Sequence, residues 1–570
     1  SEVPVTKIDS YHPPLEFTVS TSKLKSVPLE VQSNLIYNFR KANLFLLYDE
    51  IRQLDFGFLN GIRDPNVAVS QLNDHLTSIF NKHVPMKQRR TNKYPLWYNI
   101  TIINLLKRKN RLWRNCRRTK SESDYNDFKS IRARIKKMVK IAYTNYIRNV
   151  SRNIKSDPKK FWDFLKAKNN DISIPAVMTY NNYNVESPLQ IVNSFANFFT
   201  KTFIQNTSPA KDIGDQDLSA LNINMLHVPQ FSESVVQKAL KRLKPSMTAG
   251  PDSIPSFLLK DCAILFAGPL TLIFNLILQT SQFPDLWKVS RVSPIFKAGN
   301  RSDISDYRPI SIINNFAKVF EYILHHIIYS HVSNMITTKQ HGFMKGRSTV
   351  TNLTIFSQFI SEVLDRRGQV DCIYIDFSKA FDRIDHHTLL RKLSSFGLSD
   401  SLIALIKSYL FGRSQYVSLN GFDSYSYAQT SGVPQGSVLG PLLFNMYIND
   451  ITKYLTVDCL MFADDLKIFV EIKLFEDCDR LQNNLDIISN WCQENFFCIN
   501  GDKCYVMSFS KIINNTHYDY CFDNNVIKRK SLIRDLGVTF NTKLNFVDHI
   551  NIITAKAFKS LGFVIRHSKE

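Results

Sequence analysis

The spacing of apolar and polar positions divides the chain into regions of different period. From about Leu29 to Asn169 apolar residues recur at three and four. Leu44, Leu47, Ile51 and Leu54 make one stripe, and Ile131, Ile135, Val139, Ala142 and Tyr146 make another, the pattern of amphipathic helices. Asp157-Pro158 opens a further short helix carrying Phe161, Trp162 and Phe164. Residues 170–230 are rich in Asn, Ser, Asp and Pro with two weakly periodic pieces, and read as a linker leading into the next domain. From there to about Phe540 the pattern is a dense series of short strands, helices and tight turns. Ahead of it all, Leu15, Phe17 and Val19 alternate after a polar turn with two prolines, a lone strand that needs a sheet supplied from elsewhere.

Two segments of the strand-rich region place carboxylates on apolar mounts. In Asp371 to Asp382 (DCIYIDFSKAFD), the run Cys372 to Ile375 reads as a buried strand with Asp376 at its exit. In Asp458 to Val470 (DCLMFADDLKIFV), Leu460 to Ala463 and Leu466 to Val470 read as two strands with Asp464-Asp465 in the turn between them. Asp is a common turn residue and a surface Asp-Asp pair needs no function. Apolar flanks on both sides, however, put this turn on a core sheet. Adjacent carboxylates there raise each other's pKa, and a pair of divalent cations would offset the repulsion with hard oxygen ligands. Between the two segments, Ser431 to Pro441 (SGVPQGSVLGP) holds three glycines and two prolines in eleven residues, a density that suits backbone shaped against a ligand, or a structural loop.

At 570 residues and 65.9 kDa the chain exceeds a single hydrophobic core. Its net charge of +22 with 44% hydrophobic residues describes a folded basic protein, suited to a polyanionic partner. Lys107 to Lys120 (KRKNRLWRNCRRTK) is basic at eight of fourteen positions around Trp113. That favours phosphate contacts with an aromatic free to pack or to stack on a base; the plainer alternative is a solvated face with Trp113 as its core anchor. The nine cysteines form no CxxC pair, which points away from a zinc site or disulfide framework and towards a reduced, intracellular protein. The N-terminal residues lack a secretory signal pattern. Ala263 to Leu278 is apolar but short and contains Pro269, so no membrane span is expected.

Asp376, the Ser431 to Pro441 segment and the Phe462-Ala463-Asp464-Asp465 turn occur in the order used by reverse transcriptases. In detail the chain resembles the second open-reading-frame protein of non-LTR retrotransposons of the LINE and jockey-like kind, over about Leu221 to Glu570. The resemblance implies an α+β right-hand polymerase of fingers, palm and truncated thumb behind a helical N-terminal extension. It implies RNA-directed DNA synthesis on an RNA template from a DNA primer or target DNA, with dNTPs and two Mg2+ ions, Mn2+ being an alternative. Asp376, Asp464 and Asp465 would hold the metals together with the backbone carbonyl of Phe377. Lys503, in Asn500 to Cys504, would donate a proton to departing pyrophosphate. Lys297 and Arg308 would neutralise the triphosphate, a Lys point charge beside an Arg fork. Phe381 would act as the aromatic gate excluding a 2′-hydroxyl, although by spacing alone it reads as a core residue. Gln435 and Gly436 would lie by the template base and incoming nucleotide. In Gln340 to Ser348, Lys345 and Arg347 would hold template phosphates while Gly342 and Gly346 let backbone approach the template; His341 reads as structural. Leu536 and Gly537 would form the primer-grip turn, and Leu481, Leu485, Ile488 and Trp491 a helix beneath the palm.

The expected organisation is a remnant strand of an apurinic-type endonuclease at 1–22, a basic helical extension at 23–169, linker and start of fingers at 170–230, fingers and palm at 231–540, and the start of a truncated thumb at 541–570. Asp9 and His12 belong to the remnant and cannot form a nuclease by themselves. Nucleus and cytoplasm both fit the composition, and protein partners are not indicated. Two alternatives stand beside the polymerase: a nucleic-acid-binding relic without effective activity, and a related polymerase, either a group II intron-type reverse transcriptase or an RNA-making enzyme, the latter disfavoured by Phe381 and the Ala-Asp-Asp turn.

Overall fold

The computed structural model describes residues 35–88, 94–153, 156–157, 160–164, 174–204, 225–512, 515–523 and 525–568. Asp9, His12 and the strand expected at Leu15 to Val19 lie outside them.

Helices form where the three-and-four spacing predicts them. Helix α1 (Leu44–Gln53) begins where the Asn43 side chain accepts from the Leu46 amide, and α2 (Pro65–His83) where Asp64 accepts from Asn66 and Pro65 fills the first turn. Leu47, Ile51, Leu72, Leu76 and Phe80 are buried in the main core. Next, α3 (Ile100–Thr119) and α4 (Glu122–Arg152) fold back on each other through a two-residue turn: Lys120 takes a left-handed conformation (φ 52°) and Ser121 caps α4. Among the described residues of this pair only Ile102, Ile135 and Val150 are buried, so most of its surface faces solvent.

The linker expected at 170–230 is structured over much of its first half. Met178–Tyr180 pairs with Tyr183–Val185, and α5 (Pro188–Thr200) buries Ile191, Val192, Phe195 and Phe199 in a second core with Val292, Tyr307 and Val417. Polar flanks conceal a short but regular apolar stripe. Helix α6 (Ala263–Thr280) is, among the described residues, the one long and apolar enough to cross a membrane by length and composition. Phe266, Leu270, Ile273, Phe274 and Ile277 on it are buried in the main core, packing that accounts for its apolarity without a bilayer.

Among the described residues, two five-stranded sheets carry most of the remainder. In the first, β1 (Val289–Phe296) pairs antiparallel with β2 (Tyr307–Ile312) and parallel with Ser414–Leu419. The central sheet contains β3 (Gln369–Asp376), β4 (Asp458–Phe462), β5 (Asp465–Ile472) and β6 (Tyr505–Ser510) in the order β4, β5, β3, β6, antiparallel throughout, with Lys528–Arg529 added parallel at the edge. Both faces are covered, which explains the near-continuous apolar runs. Val370, Cys372 and Phe469 face a cluster with Phe356 and Ile360 of α7 (Thr349–Asp365). Ile373, Ile375 and Ile468 face the main core, with α8 (Gly440–Ile448) and with Leu481, Leu485, Ile488 and Trp491 of α9 (Phe475–Glu494). A hairpin of β7 (Leu532–Asp535) and β8 (Val538–Asn541) precedes the largely exposed α10 (Val547–Ser568).

Candidate active site

The carboxylates are brought together by strand register. Phe462 pairs with Asp465 across a two-residue turn, so the turn consists of Ala463 (φ 56°) and Asp464, and Asp465 is the first residue of β5. This corrects the expectation that both acids occupy the turn. On the other side of β5, Asp465 sits opposite Asp376 at the end of β3. Side chains alternate across a sheet, so both belong to the α7 face at its rim. The Asp376 carbonyl is tied down by the Asn500 amide at 2.8 Å.

A set of buried contacts holds the turn. The Gln340 side-chain oxygen accepts from the Ala463 amide (2.9 Å) and the Gly342 amide (2.7 Å), while its Nε2 donates to the Ala463 carbonyl (3.2 Å). A Cβ on Gly342 would come within 2.2 Å of the Ala463 nitrogen. The close approach that Gly342 permits is therefore made to the acidic hairpin, where the sequence alone suggests a template.

Asp376, Phe377, Asp464 and Asp465 line one cavity of about 780 Å³ together with Lys297, Arg308, Phe381, Gln435, Gly436 and Lys503. Ten positions dispersed along the sequence thus share one cleft. Lys297 follows β1 directly and Arg308 is on β2. The Lys503 ammonium stands 3.9 Å from an Asp376 oxygen. Phe381 stacks on Phe444 of α8, centroids 4.2 Å apart and planes 14° apart, so it is both a packed residue and a wall of the cavity. Gly436 takes φ 124°, and a Cβ there would meet the Ser311 carbonyl at 2.5 Å; the adjacent Gln435 carbonyl accepts from the Ser311 amide at 2.8 Å. The glycine-rich loop is thereby pinned to the first sheet.

Electrostatics in the cleft follow from partial desolvation of crowded charges. Burial first, and then the Asp376 charge, raise the Asp464 pKa against the pull of Arg308 and Lys297. Asp465, although open to the cleft, is pushed to about 6 by desolvation and then by Asp464, Asp376 and Asp535. Lys297 is lowered by burial and by neighbouring Arg308 and Lys503.

The remaining predicted residues fall elsewhere. Lys345 and Arg347 do not line the cavity. The Arg347 guanidinium donates to the Thr337 and Gln340 carbonyls at 2.8 and 2.6 Å, holding the loop that carries Gln340. His341 is buried, with Nδ1 2.8 Å from Thr351 Oγ1. Leu536 (φ 44°) and Gly537 (φ 96°) form the turn between β7 and β8, and Leu536 lines an adjoining cavity of about 340 Å³ that includes Asp376, Asp465 and Lys503. A buried ion pair anchors that turn, Lys467 Nζ lying 2.5 Å from Asp535 Oδ2.

Sequence reasoning missed several supporting groups. Buried Asp382, raised to about 6 by desolvation, accepts from Gln435 Nε2 at 2.8 Å and so fixes that amide. Buried Glu321, its pKa raised chiefly by burial, accepts from the Val438 and Leu439 amides at 2.7 and 3.2 Å. Phe198, Phe199 and Thr202, from α5 and just beyond it, complete the cavity wall. Gln340 and Asp382 lie inside motifs that draw attention to their neighbours; Glu321 and Thr202 carry no local signal.

Among the described residues, no three His, Cys, Asp or Glu side chains already close around a single metal position. The donor chemistry nevertheless fits a hard divalent cation: Asp376, Asp464 and Asp465 offer oxygens only, and the raised pKa of both turn-side acids marks a site that gains from added positive charge.

Residues 295–565 match the family described as reverse transcriptase (RNA-dependent DNA polymerase). The chain is 31% identical over 330 residues to the RNA-directed DNA polymerase from mobile element jockey of Drosophila funebris, 55% of this chain and 36% of that protein. It is 30% identical over 315 residues to the jockey polymerase of Drosophila melanogaster, 53% of this chain and 34% of that protein. Against the probable RNA-directed DNA polymerase from transposon BS of Drosophila melanogaster it is 26% identical over 390 residues, 65% of this chain and 42% of that protein. The aligned region therefore spans 34 to 42% of the length of these relatives.

Proposed function

We propose, from the premise that residues 295–565 form a reverse-transcriptase-family domain of the non-LTR retrotransposon type, that this chain extends a primer with dNTPs on an RNA template. In this reading the central sheet with its helices is the palm, the first sheet and its surroundings the fingers, the turn of the β7–β8 hairpin at Leu536 and Gly537 the primer grip, and α10 part of the thumb. The reading rests above all on Asp376 standing in register with Asp465, beside Asp464, on the floor of a cleft whose wall carries Lys297 and Arg308.

Asp376, Asp464 and Asp465 would hold two divalent ions, Mg2+ or Mn2+, with the Phe377 carbonyl as a further donor. Bound there, the ions supply activation of the primer 3′-hydroxyl and neutralisation of the leaving phosphates. A bond forms between the primer oxygen and the α-phosphorus of the dNTP, the hydroxyl proton passing to solvent, and the bond from that phosphorus to the bridging oxygen of pyrophosphate breaks. Lys297 and Arg308 hold the β- and γ-phosphates, and Lys503 is the candidate proton donor to the departing pyrophosphate. Phe381, immobilised by Phe444, lies under the sugar and rejects a 2′-hydroxyl. Gln435, fixed by Asp382, faces the nascent base pair. Positioning and charge stabilisation provide most of the rate.

An extension assay with Mg2+, dNTPs and a primed homopolymer RNA tests the reading. Wild type should extend the primer and Asp464→Asn should not; equal extension by the two would sink it. Replacement of dNTPs by rNTPs should leave the primer unextended.

A further inference from the structure

We propose that the exposed face of α3 is a second nucleic-acid surface, independent of the cleft, that grips the phosphates of a duplex without reading its sequence. Between Ile100 and Arg152 there are sixteen Lys and Arg against three Asp and Glu. The surplus of thirteen is more than half of the net +22 of the whole chain, and it lies outside the residues that match the polymerase family.

The geometry separates two faces of α3. Lys107, Arg108, Arg111, Arg114 and Arg118 line one shallow trough of about 660 Å³, at the three-and-four spacing that keeps them on one side of a helix. None of the five forms an ion pair among the described residues, and all are exposed. Trp113 and Ile102 fall about opposite in helical angle. Ile102 is buried, and Trp113 packs its ring 4.9 Å from Phe128 of α4, with the Arg117 guanidinium over it at 5.7 Å. The apolar side is thus committed to α4 while the cationic side is left to solvent.

Charge selects the occupant. From Lys107 to Arg118 the helix rises ~17 Å, and over that length a duplex presents on the order of ten phosphate charges. A single strand held without sequence preference needs aromatic platforms for its bases, and the one aromatic in Lys107 to Lys120 lies on the side of the helix away from the trough cations. Duplex phosphate is therefore the favoured ligand. The trough and the catalytic cleft share no lining residue.

The test measures binding of the full chain to a labelled blunt duplex of arbitrary sequence, in EDTA, across a range of KCl. Combined Lys107→Gln, Arg111→Gln, Arg114→Gln and Arg118→Gln should flatten the slope of log affinity against log salt by about 0.9 for each phosphate left unneutralised, roughly three to four in all. A charge-keeping variant, Lys107→Arg with Arg111→Lys, Arg114→Lys and Arg118→Lys, should retain the wild-type slope, and circular dichroism should show the same helix content in both. An unchanged slope in the neutral variant overturns the proposal. So does tighter binding of a single strand of equal length, or loss of binding only to phosphatidylserine vesicles. Single-nucleotide incorporation on a saturating primed template should persist in the neutral variant, so failure here is distinguishable from failure of the polymerase reading.

Discussion

Two regions concentrate ionisable side chains, and they do so in opposite ways. In the cleft, Asp376, Asp464 and Asp465 face Lys297, Arg308 and Lys503, and burial together with neighbouring charge raises the pKa of Asp464 and Asp465 and lowers that of Lys297. On the α3–α4 pair the charges are of nearly one sign, and the cations of the α3 trough are exposed and without ion-pair partners among the described residues. The first arrangement concentrates a strong local field at the cost of like-charge crowding, which suits chemistry on a charged substrate. The second keeps its cations hydrated, which suits exchange of counterions for phosphate. Mutations should therefore affect rate in one region and affinity in the other.

The largest effect is expected at the acids. Asp464→Asn or Asp376→Asn should lower single-turnover incorporation by roughly a hundred- to a thousandfold or more while duplex affinity in EDTA stays within about twofold. If both fell together, the cleft would be the main binding surface and the contrast would collapse. Phe381→Val comes next: opening the sugar side of the cavity should raise rNTP use relative to dNTP by about ten- to two-hundredfold, the range for a steric pocket difference, read as the ratio of the two incorporation efficiencies. Loss of the Phe444 stack alone would lower both efficiencies without moving their ratio.

Gln340→Ala probes the clamp on the acidic turn. It leaves the Ala463 and Gly342 amides without their acceptor, a cost of about 1–3 kcal/mol for each buried donor stranded, visible as a lower denaturation midpoint together with slower incorporation. The four-cation variant of α3 should show neither. A pH series separates the regions by a smaller margin. Asp465 titrates at about 6, and a carboxyl must be ionised to hold a cation. Above that pH the ligand is ready; below it each added ion displaces a proton, so the Mg2+ concentration for half-maximal rate should climb by up to about tenfold per pH unit lost. Duplex affinity in EDTA, which requires no metal ligand, should stay flat over the same range. A Mg2+ requirement equally flat would show that Asp465 is not a ligand.

Much of this contrast can be read in the sequence, because both regions advertise themselves through local spacing. The run Cys372 to Ile375 ending in Asp376, the apolar flanks of Asp464, and the density of cations in Lys107 to Lys120 are patterns confined to short segments, and the structure places them on β3, at the β4–β5 turn and on α3. What escapes depends on contacts between distant segments. Gly342 reads as a glycine that lets backbone approach a template until the Ala463 backbone is seen against it. The buried Lys467–Asp535 pair joins residues 68 apart, and the α5 stripe resembles linker because its partners Val292, Tyr307 and Val417 lie far downstream. Arg347 shows how a cation in a promising motif takes on a structural contact as well, one of its guanidinium nitrogens donating to two carbonyls of its own loop.

The smallest predicted effect decides how the basic region works. In sequence Trp113 sits among eight cations, which suggests an aromatic that stacks on bases while arginines hold the backbone. In the structure it is 41% exposed, enough to leave that option open if exposure were the only guide. Its direction argues otherwise: the ring lies against Phe128 and beneath Arg117, on the side of α3 opposite the cationic trough. A base reaching Trp113 would have to leave the phosphates held by Arg111 and Arg118. Trp113→Leu keeps an apolar side chain against α4 and removes the aromatic face, so affinity for duplex and single strand alike should change by less than about twofold, where a missing stacking platform would cost about 1–3 kcal/mol per base. Fluorescence anisotropy at fixed salt resolves the difference. A selective loss of single-strand affinity in this variant, with the salt slope intact, would make the region a mixed stacking surface and blur its distinction from a pure phosphate grip.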